Sequence, residues 1–133
     1  MVKRKTVLSS KAPQPIGPYS QAVIAGDMVY CSGQIPLDPE TGLLVDGDLE
    51  AQTTRVLDNL DAVLRESDSS LDQTVKLTVF LTDLRNFDIL NRVMARRFSS
   101  EPPARSVVQV AALPKGAALE MDLIALRNSA GKG

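Results

Sequence analysis

Arg105 is the residue of this chain best suited to holding a small anion. It follows Pro102-Pro103-Ala104 and precedes the β-prone Ser106-Val107-Val108, which places it where a strand begins. A guanidinium donates two parallel hydrogen bonds in one plane, a geometry that matches a carboxylate. The plainer alternative is a strand-end arginine that caps a neighbouring acid or faces solvent. Glu120 and Asp122 lie in the last β-prone run, and positions two apart on a strand share a face. A carboxylate there can orient a water or act as general base if burial tunes its pKa; the commoner case is the outward polar face of a half-buried strand. Asn91 falls on a helical apolar stripe, where a buried amide needs partners, either as a structural tie or as a ligand contact. Tyr19 follows Pro15-Ile16-Gly17-Pro18. A tyrosine on so rigid a turn can close a pocket with its hydroxyl, or pack on the core with that hydroxyl wet. At Ser32-Gly33-Gln34 a strand ends, and Gly33 lets backbone amides approach a ligand, unless it marks a β-bulge.

Absences narrow the chemistry further. The 133 residues include no histidine, so a Ser-His-Asp triad, a Cys-His pair and His-ligated metal are excluded. The one cysteine, Cys31, can form neither an internal disulfide nor a thiolate zinc cluster, and without a histidine to activate it an inert buried thiol is expected. No G-x-G-x-x-G, P-loop or metal-ligand cluster occurs, so no cofactor is expected. Fifteen basic and sixteen acidic residues leave a net charge of −1, which supplies no general attraction to nucleic acid or to an anionic membrane. No apolar run approaches the roughly 20 residues of a membrane span. The start, Met1-Val2-Lys3-Arg4-Lys5, is basic without the apolar stretch of a secretory signal. Together with the single thiol this points to a cytoplasmic protein, with a mitochondrial address as the alternative.

The elements that must position these residues follow from hydrophobic period. We expect one domain over 1–133, with 128–133 as a flexible tail and a loose proline-bearing stretch from Lys11 to Pro18. Thr6-Val7-Leu8, Ala22–Ala25 and Met28–Cys31 read as strands, the last two joined by Gly26-Asp27 in a type II′ hairpin. Asp38–Gly42 reads as a turn-rich loop. From Asp48, an N-cap with Glu50 in the first turn, Val56, Leu57, Leu60, Val63 and Leu64 make one helical stripe that ends in Ser67–Ser70. Val75, Leu77, Val79 and Leu81 alternate as a strand. Asn86 then caps a helix whose apolar face holds Phe87, Leu90, Met94 and Phe98, stopped by Glu101-Pro102-Pro103. Arg105–Ala112 and Ala118–Leu126 are two strands joined across Leu113–Gly116. The order β-β-β-α-β-α-β-β predicts an α+β, two-layer domain: a mixed six-stranded sheet with two helices on one face. Val108, Val110, Leu119, Met121 and Leu123 exceed what two helices cover, so the far face is expected to be buried in a homo-oligomer.

Ile16-Gly17-Pro18-Tyr19-Ser20-Gln21-Ala22, Ser32-Gly33-Gln34-Ile35-Pro36, Val75–Leu81, Pro103-Ala104-Arg105-Ser106 and Ala112-Leu113-Pro114-Lys115-Gly116 with Glu120, taken together, resemble the RidA/YjgF family. The likeness runs in register from about Ile16 to Leu126. It implies a chorismate-mutase-like fold assembled as a homotrimer with ligand clefts between subunits. It also implies an enamine/imine deaminase, acting on 2-iminopropanoate, 2-iminobutanoate and their enamine tautomers 2-aminoacrylate and 2-aminocrotonate. These are products of pyridoxal-phosphate-dependent Ser/Thr dehydratases, and their hydrolysis gives a 2-oxo acid and ammonia without a cofactor. By the same resemblance Arg105 clamps the substrate carboxylate and Glu120 holds and polarises the attacking water. Tyr19, Ser32, Gly33 and Asn91 line the cleft, with the main chains of Gly33 and Val107 offering hydrogen bonds. Two positions depart from the pattern: Val107 stands where many deaminase members carry Cys, and Met94 where an aromatic is frequent.

Two other functions compete. A non-catalytic protein that binds 2-oxo acids or similar small carboxylates would use Arg105 equally but has no need of Glu120. An endoribonuclease or translation inhibitor is disfavoured by the missing histidine, the neutral charge and only five aromatic residues.

Overall fold

The computed structural model describes residues 3–98 and 100–128. Its elements are β1 (Arg4–Val7), β2 (Ala22–Ala25), β3 (Met28–Gln34), α1 (Leu49–Glu66), β4 (Thr74–Leu81), α2 (Phe87–Arg97), β5 (Ala104–Gln109) and β6 (Leu119–Leu126). The strands form one mixed sheet in the order β1-β2-β3-β6-β4-β5. Only β4 and β5 run parallel, joined by the crossover helix that a parallel pair requires. The fold is the expected α+β two-layer domain, with both helices on one face. Of the expected tail at 128–133, all but Asn128 lies outside the described residues.

The α1 stripe is what closes the core. Val56, Leu57, Leu60, Val63 and Leu64 are fully buried against Val29, Leu77, Val79, Leu81, Leu119, Met121 and Leu123. Each large apolar side chain removed from water contributes about 1.5–3 kcal/mol. Asp48 caps α1 as expected, its carboxylate accepting from the Ala51 amide at 3.0 Å. The two-residue loop at Gly26-Asp27 is also as expected: Ala25 pairs with Met28, and Gly26 alone carries a positive φ, of 61°.

Several expectations need correction. β6 lies between β3 and β4, away from the strand that precedes it in the chain. Leu119, Met121 and Leu123 therefore face the helices and are buried, so they do not belong to a bare face. The uncovered face carries Tyr30, Phe80, Val108 and Ile124, among Thr78, Glu120 and Asp122. Val75 breaks the β4 alternation because the register slips between Thr74 and Lys76, leaving it exposed. Asn86 gives no side-chain cap to α2. Asp83 instead accepts from the Arg85 amide at 2.9 Å and starts a 3-10 turn over Leu84–Asn86. Phe87 is turned outward, and Val93 takes the buried place beside Leu90 and Met94. β1 starts earlier than Thr6 and β5 stops at Gln109. The Lys11–Pro18 stretch is anchored: Ala12 is fully buried, and the Gln21 amide donates to the carbonyls of Ser9 and Pro13 at 3.2 and 2.9 Å.

Candidate functional site

Register separates the candidate residues into two groups. Leu77 pairs with Arg105 on one side and Leu123 on the other, while Phe80 pairs with Val108 and Glu120. Arg105 thus shares the helix-facing side with Leu77, whereas Glu120 points to the uncovered side with Phe80. Two strand spacings across and three residues along put their Cα atoms about 14 Å apart, on opposite faces. Within one chain they do not meet.

The first group surrounds Glu120. A cleft of about 330 Å³ is lined by Pro13, Gln14, Ile16, Tyr19, Gln21, Ser32, Gly33, Gln34, Ile35, Leu37, Pro114 and Glu120. No cation is among them. Gly33 lies where β3 slips register against β6 between Cys31 and Gln34, so the expected bulge and the expected close approach are one feature. A Cβ built on Gly33 would come within 2.8 Å of Glu120 Cδ and 3.1 Å of Cγ, so the carboxylate rests on space that only glycine leaves open. Desolvation, and then the negative charge of Asp122, raise the Glu120 pKa above the usual carboxylate range. Asp122 is itself raised by desolvation, against the lowering effect of Lys76. A carboxylate with a raised pKa is a better base at the pH where it is still ionised. Tyr19 stands at the cleft mouth with its hydroxyl accepting from the Ile16 amide at 3.2 Å. Ser32 donates its hydroxyl to the Ser20 carbonyl at 2.6 Å, so towards a ligand the Ser32 oxygen can only accept. Cys31 points to the core; burial first and the Asp122 charge second push its thiol up to about 12, as befits an inert buried thiol.

The second group surrounds Arg105 on β5, an edge strand. Its Nη1 donates to Asn91 Oδ1 at 2.8 Å, and its guanidinium lies 5.5 Å from the Phe87 ring centroid. Among the described residues it caps no acid, so the fork remains exposed and available to an anion. Asn91 is a tie that aims Arg105. Beside the pair, Met94, Ala95, Phe98, Pro102 and Pro103 wall a groove of about 380 Å³. Val107 belongs to neither group through its side chain, which packs on the core. Among the described residues no group of His, Cys, Asp and Glu has the makings of a metal site, and no helix is long and apolar enough to cross a membrane.

Sequence reasoning missed two buried amides that hold the cleft walls. Gln21 clasps the Ser9–Pro13 segment, and Asn59 on α1 reaches the Leu37 carbonyl at 2.9 Å. The signal for Asn59 was present: it stands three residues from Val56 and four from Val63, a polar residue on an apolar stripe.

A family model described as Endoribonuclease L-PSP matches residues 9–127. Protein DfrA of Myxococcus xanthus is 52% identical over 125 residues, covering 92% of this chain and 95% of the relative. The human protein named 2-iminobutanoate/2-iminopropanoate deaminase is 40% identical over 124 residues, covering 93% and 90%. The crystal structure of RidA from the Antarctic bacterium Psychrobacter superposes with a TM-score of 0.89 at 45% identity, over 92% of this chain and 98% of that one. Family model, identity and backbone agree across nearly the whole chain, and the chain belongs to the RidA/YjgF family.

Proposed function

We propose that this protein hydrolyses small 2-imino acids, 2-iminopropanoate and 2-iminobutanoate with their enamine tautomers, to 2-oxo acids and ammonia. The observation that carries this reading is the division of the candidate residues. A desolvated carboxylate lines a cleft without a cation, while an exposed guanidinium that has no acidic partner among the described residues stands on the opposite face. Each is half of a site for a zwitterionic iminium carboxylate, and two copies of the chain complete it. The uncovered sheet face, with Tyr30 and Val108 exposed beside Phe80 and Ile124, supports assembly with further copies, for which we propose a homotrimer. The name of the human relative supports the same chemistry.

In this scheme Arg105 of one copy grips the substrate carboxylate with its planar fork. Glu120 of the next accepts a proton from a water that attacks the iminium carbon. Glu120 then returns the proton to the nitrogen of the resulting amino alcohol; the C–N bond breaks as the hydroxyl oxygen forms the carbonyl, and the hydroxyl proton passes to the departing ammonia, so iminium and water become ketone and ammonium. A protonated imine is already a good electrophile, and orienting the water against a fixed carbon supplies most of what is needed. No histidine is required. The lining of the Glu120 cleft, with no basic residue and one aromatic, does not favour RNA. We place the activity in the cytoplasm, which suits a lone reduced thiol.

A complementation assay tests this. Arg105→Ala and Glu120→Gln chains each lose at least 100-fold in kcat/KM while remaining oligomeric by sedimentation. After partial denaturation and joint refolding, mixed oligomers regain activity, because some interfaces pair an intact Arg105 with an intact Glu120. Retained full activity in either single variant removes that residue from the mechanism. Mixed oligomers that stay inactive refute a site shared between copies.

A further inference from the structure

We propose that Asn59 on α1 is a positioning residue that sets the wall of the Glu120 cleft through the Leu37 carbonyl; its activity arm rests on the deaminase reading above. The wall from Ile35 to Leu37 is not part of the main core. With Ala117, and the half-buried Leu44 and Leu113, it forms a separate small cluster. Beyond Leu37 the chain turns back on itself: the Asp38 amide donates to the Leu43 carbonyl at 2.8 Å, Gly42 to Asp38 at 2.8 Å, and Val45 to Pro36 at 2.9 Å. These bonds shape the loop internally and leave its seat on the sheet open. Among the described residues, the one side-chain hydrogen bond that joins the loop to α1 is Asn59 Nδ2 to the Leu37 oxygen, 2.9 Å.

Asn59 is fully buried on the face that carries Val56, Leu60 and Val63. An amide there is costly unless both of its ends are bonded, and a leucine would fill the stripe without that cost. Both ends are bonded. Arg55 Nε donates to Asn59 Oδ1 at 3.0 Å, one turn earlier on the helix. Arginine only donates and a carbonyl only accepts, so the two partners fix which way the amide faces. Arg55, Asn59 and Leu37 thus form a directed chain from the helix surface to the cleft wall. Asn59 lines neither the Glu120 cleft nor the Arg105 groove, and its hydrogen bond to the Leu37 carbonyl is the route by which it reaches the cleft wall.

Asn59→Asp, of nearly the same shape, removes the donor and turns an oxygen towards the Leu37 carbonyl. We would follow amide hydrogen exchange in the full chain together with deamination kinetics. The amides of Asp38, Gly42 and Val45 exchange at least 10-fold faster, those of Leu77 and Val79 in β4 keep their rates, and kcat/KM falls at least 10-fold. Thr53→Val is the control: Thr53 is equally buried on α1 but bonds only the Leu49 carbonyl at 2.7 Å, and both readouts stay near wild type. If Asn59→Asp fails to fold, Arg55→Ala frees the amide oxygen and gives a smaller change in the same direction. Unchanged loop exchange overturns the proposal. So does acceleration of loop and β4 amides together, which would make Asn59 a general stabiliser, and so does a loosened loop with full kcat/KM. A wild-type protein that deaminates nothing refutes the deaminase reading alone, and the exchange pattern still decides whether Asn59 sets the wall.

Discussion

Gly33→Ala places a methyl group where the Glu120 carboxylate now lies, with Cδ only 2.8 Å from the new Cβ. Ordinary carbon contacts begin at about 3.5 Å, so the carboxyl carbon must retreat by about 0.7 Å. The backbone itself resists nothing, since Gly33 has no left-handed φ. Turning Glu120 off its preferred rotamer costs about 0.5–1.5 kcal/mol. Replacing glycine where alanine fits the backbone returns about 0.4–1 kcal/mol through the unfolded chain. Stability therefore changes by less than about 1 kcal/mol, and Tm by no more than about 5 °C. Catalysis is not so tolerant, because a misplacement of about 1 Å in a positioned group costs on the order of 100-fold in rate. That is about 2.7 kcal/mol of transition-state stabilisation. The assay generates the imine with a serine or threonine dehydratase and follows 2-oxo acid, with semicarbazide trapping what escapes. A double-mutant cycle completes it: in a Glu120→Ala background, Gly33→Ala costs nothing further. Full activity in a folded Gly33→Ala protein refutes the reasoning, and so does a cycle in which the two losses multiply. A fall in Tm well beyond 5 °C would assign Gly33 to the fold and not to the carboxylate.

Three further outcomes concern Glu120, Cys31 and the α1 stripe. Because desolvation and Asp122 hold the Glu120 pKa up, its basic form is lost as pH falls through a value above the usual carboxylate range, and the rate falls with it; Asp122→Asn removes the like charge, and the acid limb of the pH–rate profile moves to lower pH. An unmoved limb would take Glu120 out of the titration. Cys31, with its thiol pushed up to about 12 by burial and the Asp122 charge, stays unlabelled by a disulfide reagent at pH 8 in the native protein and reacts at once in guanidinium; native labelling would contradict its burial. Leu60→Ala empties a fully buried position and lowers unfolding free energy by about 2–5 kcal/mol, read as a shift of the urea midpoint at constant slope; a loss under about 1 kcal/mol would mean that the α1 stripe does not hold the core.

The local elements were legible wherever one short segment contains its own signal. Asp48, Glu50 and the stripe from Val56 to Leu64 define α1 without outside help, because capping and amphipathicity act within a few turns. Gly26-Asp27 defines a hairpin because its strands are neighbours in the chain. Where a partner lies far along the chain, the local sequence does not determine the packing. Alternation in Ala118–Leu126 shows two faces, but only the place of β6 between β3 and β4 decides that Leu119, Met121 and Leu123 meet the helices. Phe87 and Val93 exchanged roles for a similar reason. Helical period offers a stripe, and the packing of α2 against α1 chooses its centre.

The residues of the candidate site stood out by type and order, and the family resemblance gave them their roles: Arg105, Glu120, Tyr19, Ser32, Gly33 and Asn91 all border one of the two recesses. Residue type carries donor, acceptor and charge, and these need no fold to be recognised. Register in a sheet is set by pairing between segments far apart in the chain, and a side chain's face reverses with each residue. For that reason only the tertiary structure decided that Arg105 and Glu120 stand about 14 Å apart on opposite faces. It also decided that Gly33 makes room for a carboxylate, and that two buried amides, Gln21 and Asn59, hold the walls around it.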